Sequence, residues 1–182
     1  MWESRARKKV VFARDRATLL LCFCGALRRA EACALEVADL KFLDGGMDVF
    51  IRRSKTDGEG HGQTIFVPRA NGTRCAVAAV REWLELAQIA EGPVFRAVSR
   101  SDRVLPGALS LQSVALIVKR AAARIGANAN DFSGHSLRAG FCTEGSMAGL
   151  ANWQIRAVTR HVNDVHLATY VRPLSNKTPS LL

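Results

Sequence analysis

The stretch from residue 40 to residue 67, LKFLDGGMDVFIRRSKTDGEGHGQTIFV, decides the fold class. Apolar and polar residues alternate in short runs, and two glycine-containing turns separate these runs. Alternation with a period of two is typical of strands with one buried face, and short turns join neighbouring strands into antiparallel pairs. The stretch therefore predicts a small antiparallel meander of three strands, at residues 40–42, 49–53 and 64–67.

Helical periodicity dominates on both sides of this meander. Apolar residues recur every three or four positions, and residue types that start or stop helices stand at the ends of these segments. The pattern predicts helices at residues 15–25, 29–37, 75–89, 110–125, 135–148, 152–159 and 166–171. Residues 92–109 are rich in glycine, proline and serine and are predicted as a loop. The expected fold is a mainly α, α+β domain with a small three-stranded antiparallel sheet.

The helix at 110–125 carries the most detailed expectation. Ser110 precedes it, and serine is a preferred residue at the N-cap, where its hydroxyl accepts a backbone N–H. Apolar residues at helical spacing predict the buried stripe of this helix. The predicted stripe consists of Leu111, Val114, Val118, Ala121 and Ile125.

The chain is strongly basic and still has the composition of a folded domain. Its 182 residues include 26 Lys and Arg against 16 Asp and Glu, a net charge of +10, while 48% of the residues are hydrophobic. This balance favours one globular domain with a polyanion as its partner, and nucleic acid is the first candidate. The longest apolar run, LLLCFCGAL at 19–27, is far shorter than the roughly 20 residues of a membrane span.

The cysteines and the N-terminus indicate a cytoplasmic protein. The basic N-terminal residues are not followed by an apolar stretch long enough for a signal peptide. The cysteines are odd in number and lack the C-x-x-C spacing of zinc sites, so they are interpreted as reduced core residues. They are Cys22, Cys24, Cys33, Cys75 and Cys142.

Two basic segments suit the binding of a phosphate. Arg28 lies in the predicted connection between two helices, where it can be held rigidly at a helix start. His135 and Arg138 are three positions apart at the predicted start of another helix, so they share one face of its first turn. Helix N-termini favour anions, because their backbone N–H groups point outward.

Lys55 and Tyr170 could supply proton transfer and a nucleophile. Lys55 lies where the second strand meets its glycine-rich turn, and Tyr170, the single tyrosine, follows His161 by nine positions. A phenol has a pKa of about 10, so it attacks poorly until a base or nearby cations favour the phenolate. Cations can also stabilise charge on phosphate oxygens in place of a metal ion. Since no carboxylate cluster suitable for magnesium is evident in the sequence, neither a metal nor a cofactor is expected.

These segments together resemble the motifs of tyrosine recombinases, the phage-type integrases. Residues 25–35, GALRRAEACAL, are similar to the first arginine box of that family, and Ser54-Lys55-Thr56 resembles its lysine hairpin. Residues 134–140, GHSLRAG, resemble its His-x-x-Arg box, and Arg160-His161 followed by Tyr170 resembles its final segment. The motifs stand in the family's order across residues 14–173.

The resemblance implies a role for each residue in cleaving DNA. Tyr170 would attack the scissile phosphodiester and form a 3′-phosphotyrosyl link, while Arg28 and Arg138 would clamp the non-bridging oxygens. Lys55 would protonate the leaving 5′-oxygen, and His135 would assist proton transfer at the tyrosine.

Two further residues complete the implied site. His161 would hydrogen-bond the phosphate, and Glu31 would orient the site without touching the DNA. One position departs from the family pattern, because Arg160 stands where members usually have glycine before the last histidine.

The resemblance also implies an architecture and partners. The fold would be the catalytic-domain fold of DNA breaking–rejoining enzymes, at residues 14–173, with a basic lead-in at 1–13 and a C-terminal tail at 174–182. The N-terminal core-binding domain of complete members is expected to be absent, which fits a catalytic fragment, a decayed gene or a minimal enzyme. The implied partner is double-stranded DNA, with a homotetramer forming on synapsed DNA and the protein associating with the nucleoid of a prokaryote.

Two other kinds of protein would show the same sequence features. A non-catalytic DNA-binding module derived from an integrase would have the same charge and helices, but it would not need Tyr170. A type IB topoisomerase uses the same chemistry and relaxes supercoils without exchanging partners. Taken singly, Arg28 could cap a helix and Lys55 could be a solvated turn residue. The five motifs in order favour the recombinase.

Overall fold

The computed structural model describes residues 9–52 and 61–161. Its helices within these ranges are α1 (Lys9–Cys24), α2 (Arg29–Ala34), α3 (Ala76–Leu86), α4 (Leu111–Arg124), α5 (Ser136–Met147) and α6 (Asn152–Thr159). Its strands are β1 (Leu40–Leu43), β2 (Gly46–Ile51), β3 (Gln63–Pro68), β4 (Arg96–Val98) and β5 (Val104–Ala108). The mainly α, α+β fold with a small three-stranded sheet is confirmed.

The three-stranded sheet has the order β1-β2-β3, with both pairs antiparallel. Val49 in the central strand faces Leu40 on one side and Ile65 on the other. The alternation seen in the sequence places Met47, Val49 and Ile51 on the buried face of β2. Lys55, predicted for the turn between β2 and β3, lies outside the described residues.

A second sheet, made of β4 and β5, was not predicted. The sequence indicated a loop at 92–109, because proline and glycine at 106–107 break the strand pattern. The two strands pair antiparallel with an irregularity between Arg96 and Val98, and β5 is largely exposed. An exposed, irregular hairpin has little alternation between apolar and polar residues, which explains why it was missed.

Helix α1 begins at Lys9 rather than at the predicted Asp15. The Asp102 carboxylate accepts hydrogen bonds from the backbone N–H of Val10, at 3.0 Å, and of Val11, at 2.9 Å. These amides in the first turn of α1 would otherwise lack an acceptor within their own helix. The helix is therefore capped by a residue from the β4–β5 turn, which its local sequence cannot reveal.

Helix α4 is capped as predicted, but its buried face is not the predicted stripe. The Ser110 side chain accepts the backbone N–H of Ser113 at 3.1 Å. Leu111 is 47% exposed and Ile125 is 82% exposed, so these two ends of the predicted stripe are wrong. The buried residues are Val114, Ile117, Val118 and Ala122. The contact with the core is therefore confined to the middle of the helix.

Two further boundaries depart from the sequence-based prediction. Helix α2 ends at Ala34, and residues 37–39 form a short 3-10 turn instead of continuing the helix. The predicted last helix at 166–171, which would carry Tyr170, lies outside the described residues. Every described cysteine is a free thiol. The prediction that they are core residues holds for Cys22, Cys75 and Cys142, which are buried, while Cys24 and Cys33 are half-buried. Within the described ranges, no helix combines the length and the apolar character that a membrane crossing requires.

The apolar core is divided unequally between two clusters. The larger cluster joins α1, α3, α4 and the three-stranded sheet, and Trp83 and Phe95 are its largest buried side chains. Trp83 also donates its indole N–H to the carbonyl of Val94 at 2.7 Å. The smaller cluster, in α5 and α6, consists of Cys142 and Ile155 with Phe141 packed against them.

This division predicts unequal local stability. We expect the backbone amides of α5 and α6 to exchange hydrogen for deuterium faster than those of α1 and α3, because opening the smaller cluster exposes less apolar surface. Hydrogen exchange followed by mass spectrometry of peptides from each helix measures the difference. Equal protection in all four helices would mean that they open together, contrary to this expectation.

Candidate active site

Arg28 is held at the start of α2 by a carboxylate one turn further along. Its guanidinium Nη1 donates to Glu31 Oε1 at 2.7 Å, and its backbone N–H donates to Glu31 Oε2, also at 2.7 Å. Glu31 is only 6% exposed. A charge-assisted contact of this length in a buried position restrains both side chains. The predicted rigid placement of Arg28 at a helix start agrees with this geometry.

Arg138 on α5 is buried and keeps one donor without a described partner. Its Nη1 donates to the carbonyl oxygen of Ala26 at 2.7 Å, while Nη2 is buried and has no hydrogen-bond partner among the described residues. Burial, together with the neighbouring charges of Arg28 and Arg160, lowers the pKa of Arg138 to about 10. The side chain is therefore still charged at neutral pH. A buried, charged, unpaired N–H group is what an anionic oxygen can satisfy.

His135 directly precedes α5, and its side chain is exposed. Partial burial of the ring, followed by the charges of Arg29, Arg138 and Arg28, lowers the pKa of His135 below its ordinary value. The imidazole is therefore neutral at pH 7. A neutral imidazole has one nitrogen that accepts a proton and one that donates, which suits the predicted role in proton transfer.

Gly134 brings the His135 loop close to α2. A Cβ atom at this position would lie 1.8 Å from Cδ of Arg29 and 2.2 Å from its Cγ. No side chain fits without displacing Arg29. The glycine of the GHSLRAG segment therefore permits the close approach of the two basic segments.

Arg160, which received no role from the sequence, is part of the same cluster. It is 6% exposed, and its Nη2 donates to Glu31 Oε2 at 2.7 Å. It ends α6 in the left-handed conformation, with a φ of 59°. Further bonds from its guanidinium reach the carbonyl oxygens of Val158, Gly25 and Ala26. The signal available in the sequence was the arginine itself, at a position where the resembled family usually has glycine.

His161 follows directly at the end of α6. Its Nδ1 lies 3.0 Å from the hydroxyl oxygen of Thr159, and its carbonyl oxygen accepts a bond from Nε of Arg156 at 3.2 Å. The structure thus places His161 beside Arg160. Lys55 and Tyr170 lie outside the described residues, and their roles stay predictions.

The cluster carries more positive than negative charge. The residues that interact around the one carboxylate of Glu31 are Arg28, Arg138 and Arg160. Burial also lowers the pKa of Arg160, and the Arg28 charge adds to this effect while Glu31 opposes it. An excess of buried cations favours an anionic ligand, since an anion offsets their repulsion and their desolvation. The arrangement can bind a phosphate.

Comparison with known proteins identifies the group to which the chain belongs. Residues 5–177 match the phage integrase family. An integrase/recombinase xerD homolog from Selenomonas ruminantium is 38% identical over 165 residues, which cover 90% of this chain and 48% of that protein. The chain thus spans about half the length of this relative.

Solved structures share the fold. The XerH site-specific recombinase bound to difH substrate superimposes with a TM-score of 0.67 at 17% identity, over 90% of this chain and 44% of that one. A lambda integrase dimer bound to a COC′ core site gives 0.61 at 16% identity, over 93% of this chain and 45% of that one. The family match extends over nearly the whole sequence, and the chain therefore belongs to the phage integrase family of tyrosine recombinases.

Proposed function

We propose that this chain is the catalytic domain of a site-specific recombinase that cuts and rejoins double-stranded DNA through a 3′-phosphotyrosine intermediate. The observation that carries the proposal is the meeting of Arg28 and Arg138. Arg138 bonds the carbonyl of Ala26, 112 positions away in sequence, and Ala26 lies two residues before Arg28. Two charged guanidiniums in one corner support the binding of a phosphodiester, since one of them has a buried donor that no residue of the described part of the chain pairs with.

The reaction exchanges one phosphoester for another. The Tyr170 hydroxyl oxygen attacks the phosphorus, the bond from phosphorus to the 5′-oxygen breaks, and Lys55 gives a proton to that oxygen. Neutral His135 assists removal of the phenol proton. A 5′-hydroxyl from another strand then reverses the same steps and releases Tyr170. Because the covalent link keeps the phosphodiester's free energy, rejoining needs no ATP.

The arginines act on the charge that builds up during attack. Negative charge increases on the two non-bridging oxygens as Tyr170 approaches, and preorganised donors stabilise it without reorganising at that moment. Arg28 and Arg138 fill this role, and His161 contributes a hydrogen bond to the phosphate. Glu31 keeps Arg28 in place from its buried position.

DNA is the proposed partner of this domain. A net charge of +10 favours a polyanion, and the XerH and lambda integrase structures that share the fold are DNA complexes. We also propose that the domain occupies residues 14–173, that residues 174–182 form a tail, and that recombination takes place in a homotetramer on synapsed DNA.

A nicked suicide substrate tests the proposed function. The nick releases a short fragment after cleavage, so rejoining fails and the covalent protein–DNA adduct accumulates on a denaturing gel. We expect the wild-type chain to form this adduct on its natural flanking DNA. Binding without an adduct would favour the non-catalytic module. Adducts that relax supercoiled DNA without joining new strands would favour the topoisomerase.

The role of Lys55 is tested by changing the leaving group. Lys55→Ala is expected to cut ordinary DNA slowly and to recover on a substrate with a 5′-thio leaving group, because a thiolate leaves without a general acid. Single-turnover cleavage rates on both substrates measure the recovery. Lys41→Ala, which removes an exposed lysine of β1, is the matched control and should cut both as wild type does. A Lys55→Ala variant equally slow on both substrates would remove Lys55 from this role.

A further inference from the structure

Arg160 is a buried charged residue to which the proposed chemistry assigns no role. Its φ of 59° lies in the left-handed region, which side chains other than glycine occupy at a cost. The residue is nevertheless 6% exposed, and its side chain is 2% exposed. A residue that is both strained and buried is retained only if its contacts compensate. The contacts therefore indicate what it does.

The strongest contact of Arg160 is with the carboxylate that also holds Arg28. Glu31 Oε1 accepts Nη1 of Arg28, while Oε2 accepts both the backbone N–H of Arg28 and Nη2 of Arg160, each at 2.7 Å. Both side chains of the Arg160–Glu31 pair are 2% exposed. Loss of the Arg160 guanidinium would leave the buried Oε2 with one donor fewer. The carboxylate would keep its two bonds from Arg28 but would lose the contact that fixes it from α6, so Glu31 and the Arg28 side chain would be less restrained.

Arg160 also binds the loop that receives Arg138. Its Nη2 donates to the Ala26 carbonyl oxygen at 3.3 Å, and Nη1 of Arg138 donates to the same oxygen at 2.7 Å. Nη1 of Arg160 reaches the Gly25 carbonyl at 3.2 Å. Ala26 itself has a positive φ of 44°. Arg160 therefore stabilises a strained loop. Arg28 directly follows this loop, and Arg138 is hydrogen-bonded to it.

We infer that Arg160 is a positioning residue for DNA cleavage: it holds Glu31, and through Glu31 the guanidinium of Arg28, in a fixed orientation beside Arg138. This inference rests on the proposed function. Arg160 stands where the family usually has glycine. Its role, on this inference, is to help assemble the phosphate-binding corner. Compared with glycine, Arg160 adds an ion pair with Glu31 and strains the backbone at this position.

Arg160→Gly is the most informative variant. It relieves the backbone strain and removes the guanidinium, so folding is expected to persist while positioning is lost. We expect the single-turnover rate of adduct formation at saturating nicked DNA to fall by about 30-fold, with the Kd for DNA changed by less than about threefold, since the loss is of orientation rather than of binding. Arg160→Lys keeps the charge and is expected to recover part of the rate.

A double-mutant comparison separates positioning from a direct contact with DNA. Glu31→Gln is expected to lose a similar amount of rate, and adding Arg160→Gly to it should cause little further loss, because both act through one ion pair. Arg14→Gln is the matched control. Arg14 is also buried and paired with a carboxylate, Asp15 at 2.6 Å, so its loss should lower the melting temperature while leaving the cleavage rate of folded protein unchanged.

A measurement that does not need activity distinguishes failure of this inference from failure of the proposed function. In NMR spectra of the arginine side chains, Arg160→Gly is expected to shift the Arg28 Nε–H resonance, and Arg14→Gln is not. If the wild type forms no adduct but this shift occurs, the proposed function fails, while the part of the inference that stands is that Arg160 orients Arg28 through Glu31. An unmoved Arg28 resonance, a wild-type cleavage rate in Arg160→Gly, or losses that add fully to those of Glu31→Gln would overturn the inference.

Discussion

Tyr170→Phe is expected to form no covalent adduct with nicked DNA. The change removes the hydroxyl oxygen that we propose attacks the phosphorus and keeps the ring, so the proposed nucleophile is lost with little change in shape. The chain contains a single tyrosine, and no second phenol can take over. DNA affinity should stay within about twofold of wild type, because a single hydroxyl contributes little beside the phosphate contacts. A denaturing gel measures the adduct, and fluorescence anisotropy measures the Kd.

The control for this experiment is the wild-type chain on the same substrate. If the phenylalanine variant still forms an adduct, the nucleophile is a different side chain. Mapping the adduct by peptide mass spectrometry would then locate it. If the variant forms no adduct and also fails to bind DNA, the ring itself supports binding, and the assignment of Tyr170 as a pure nucleophile is wrong.

Arg138→Ala is expected to slow cleavage by at least about 100-fold, which is the scale seen when a preorganised donor to a transition state is removed. Its Nη2 is buried and has no hydrogen-bond partner within residues 9–52 and 61–161, so water does not screen the charge it offers. Single-turnover rates at saturating DNA isolate the chemical step from binding. Arg124→Ala removes an exposed arginine from the last turn of α4 and is the matched control, expected to cleave as wild type does.

The split between rate and affinity decides the role of Arg138. A loss confined to the Kd, with the saturated rate unchanged, would make Arg138 an ordinary phosphate anchor. A loss of rate at saturation places its contribution in the transition state. Thermal unfolding of the variant, measured in parallel, shows whether a lower fraction of folded protein accounts for the change.

Local patterns predicted the parts of the fold that local physics determines. The three-stranded sheet follows from alternation in residues 40–67, and the Ser110 cap follows from a hydroxyl next to its own helix. The start of α1 depends on Asp102, more than ninety positions away, and so was placed too late. The exposed ends of α4 were assigned to the core because helical spacing shows which face is apolar, and not how far the neighbouring elements extend.

The same distinction applies to the site. Arg28, His135 and Arg138 were singled out because each lies in a recognisable segment near a helix start, and the structure brings these segments together. Nothing in the local sequence of Arg160 indicates that it pairs with Glu31, 129 positions away. An ion pair between distant segments depends on the packing of helices. The one sign of this ion pair in the sequence was Arg160 itself, at a position where the family usually has glycine.

The Ala26 carbonyl accepts bonds from both Arg138 and Arg160, so both of its partners are synthesised after it. A ribosome makes residues 25–31 before Arg138 and Arg160, which follow more than a hundred residues later. A nascent chain that ends before Arg138 therefore lacks both of the guanidinium groups that bond this carbonyl. The surplus of positive charge is assembled only when the late helices dock.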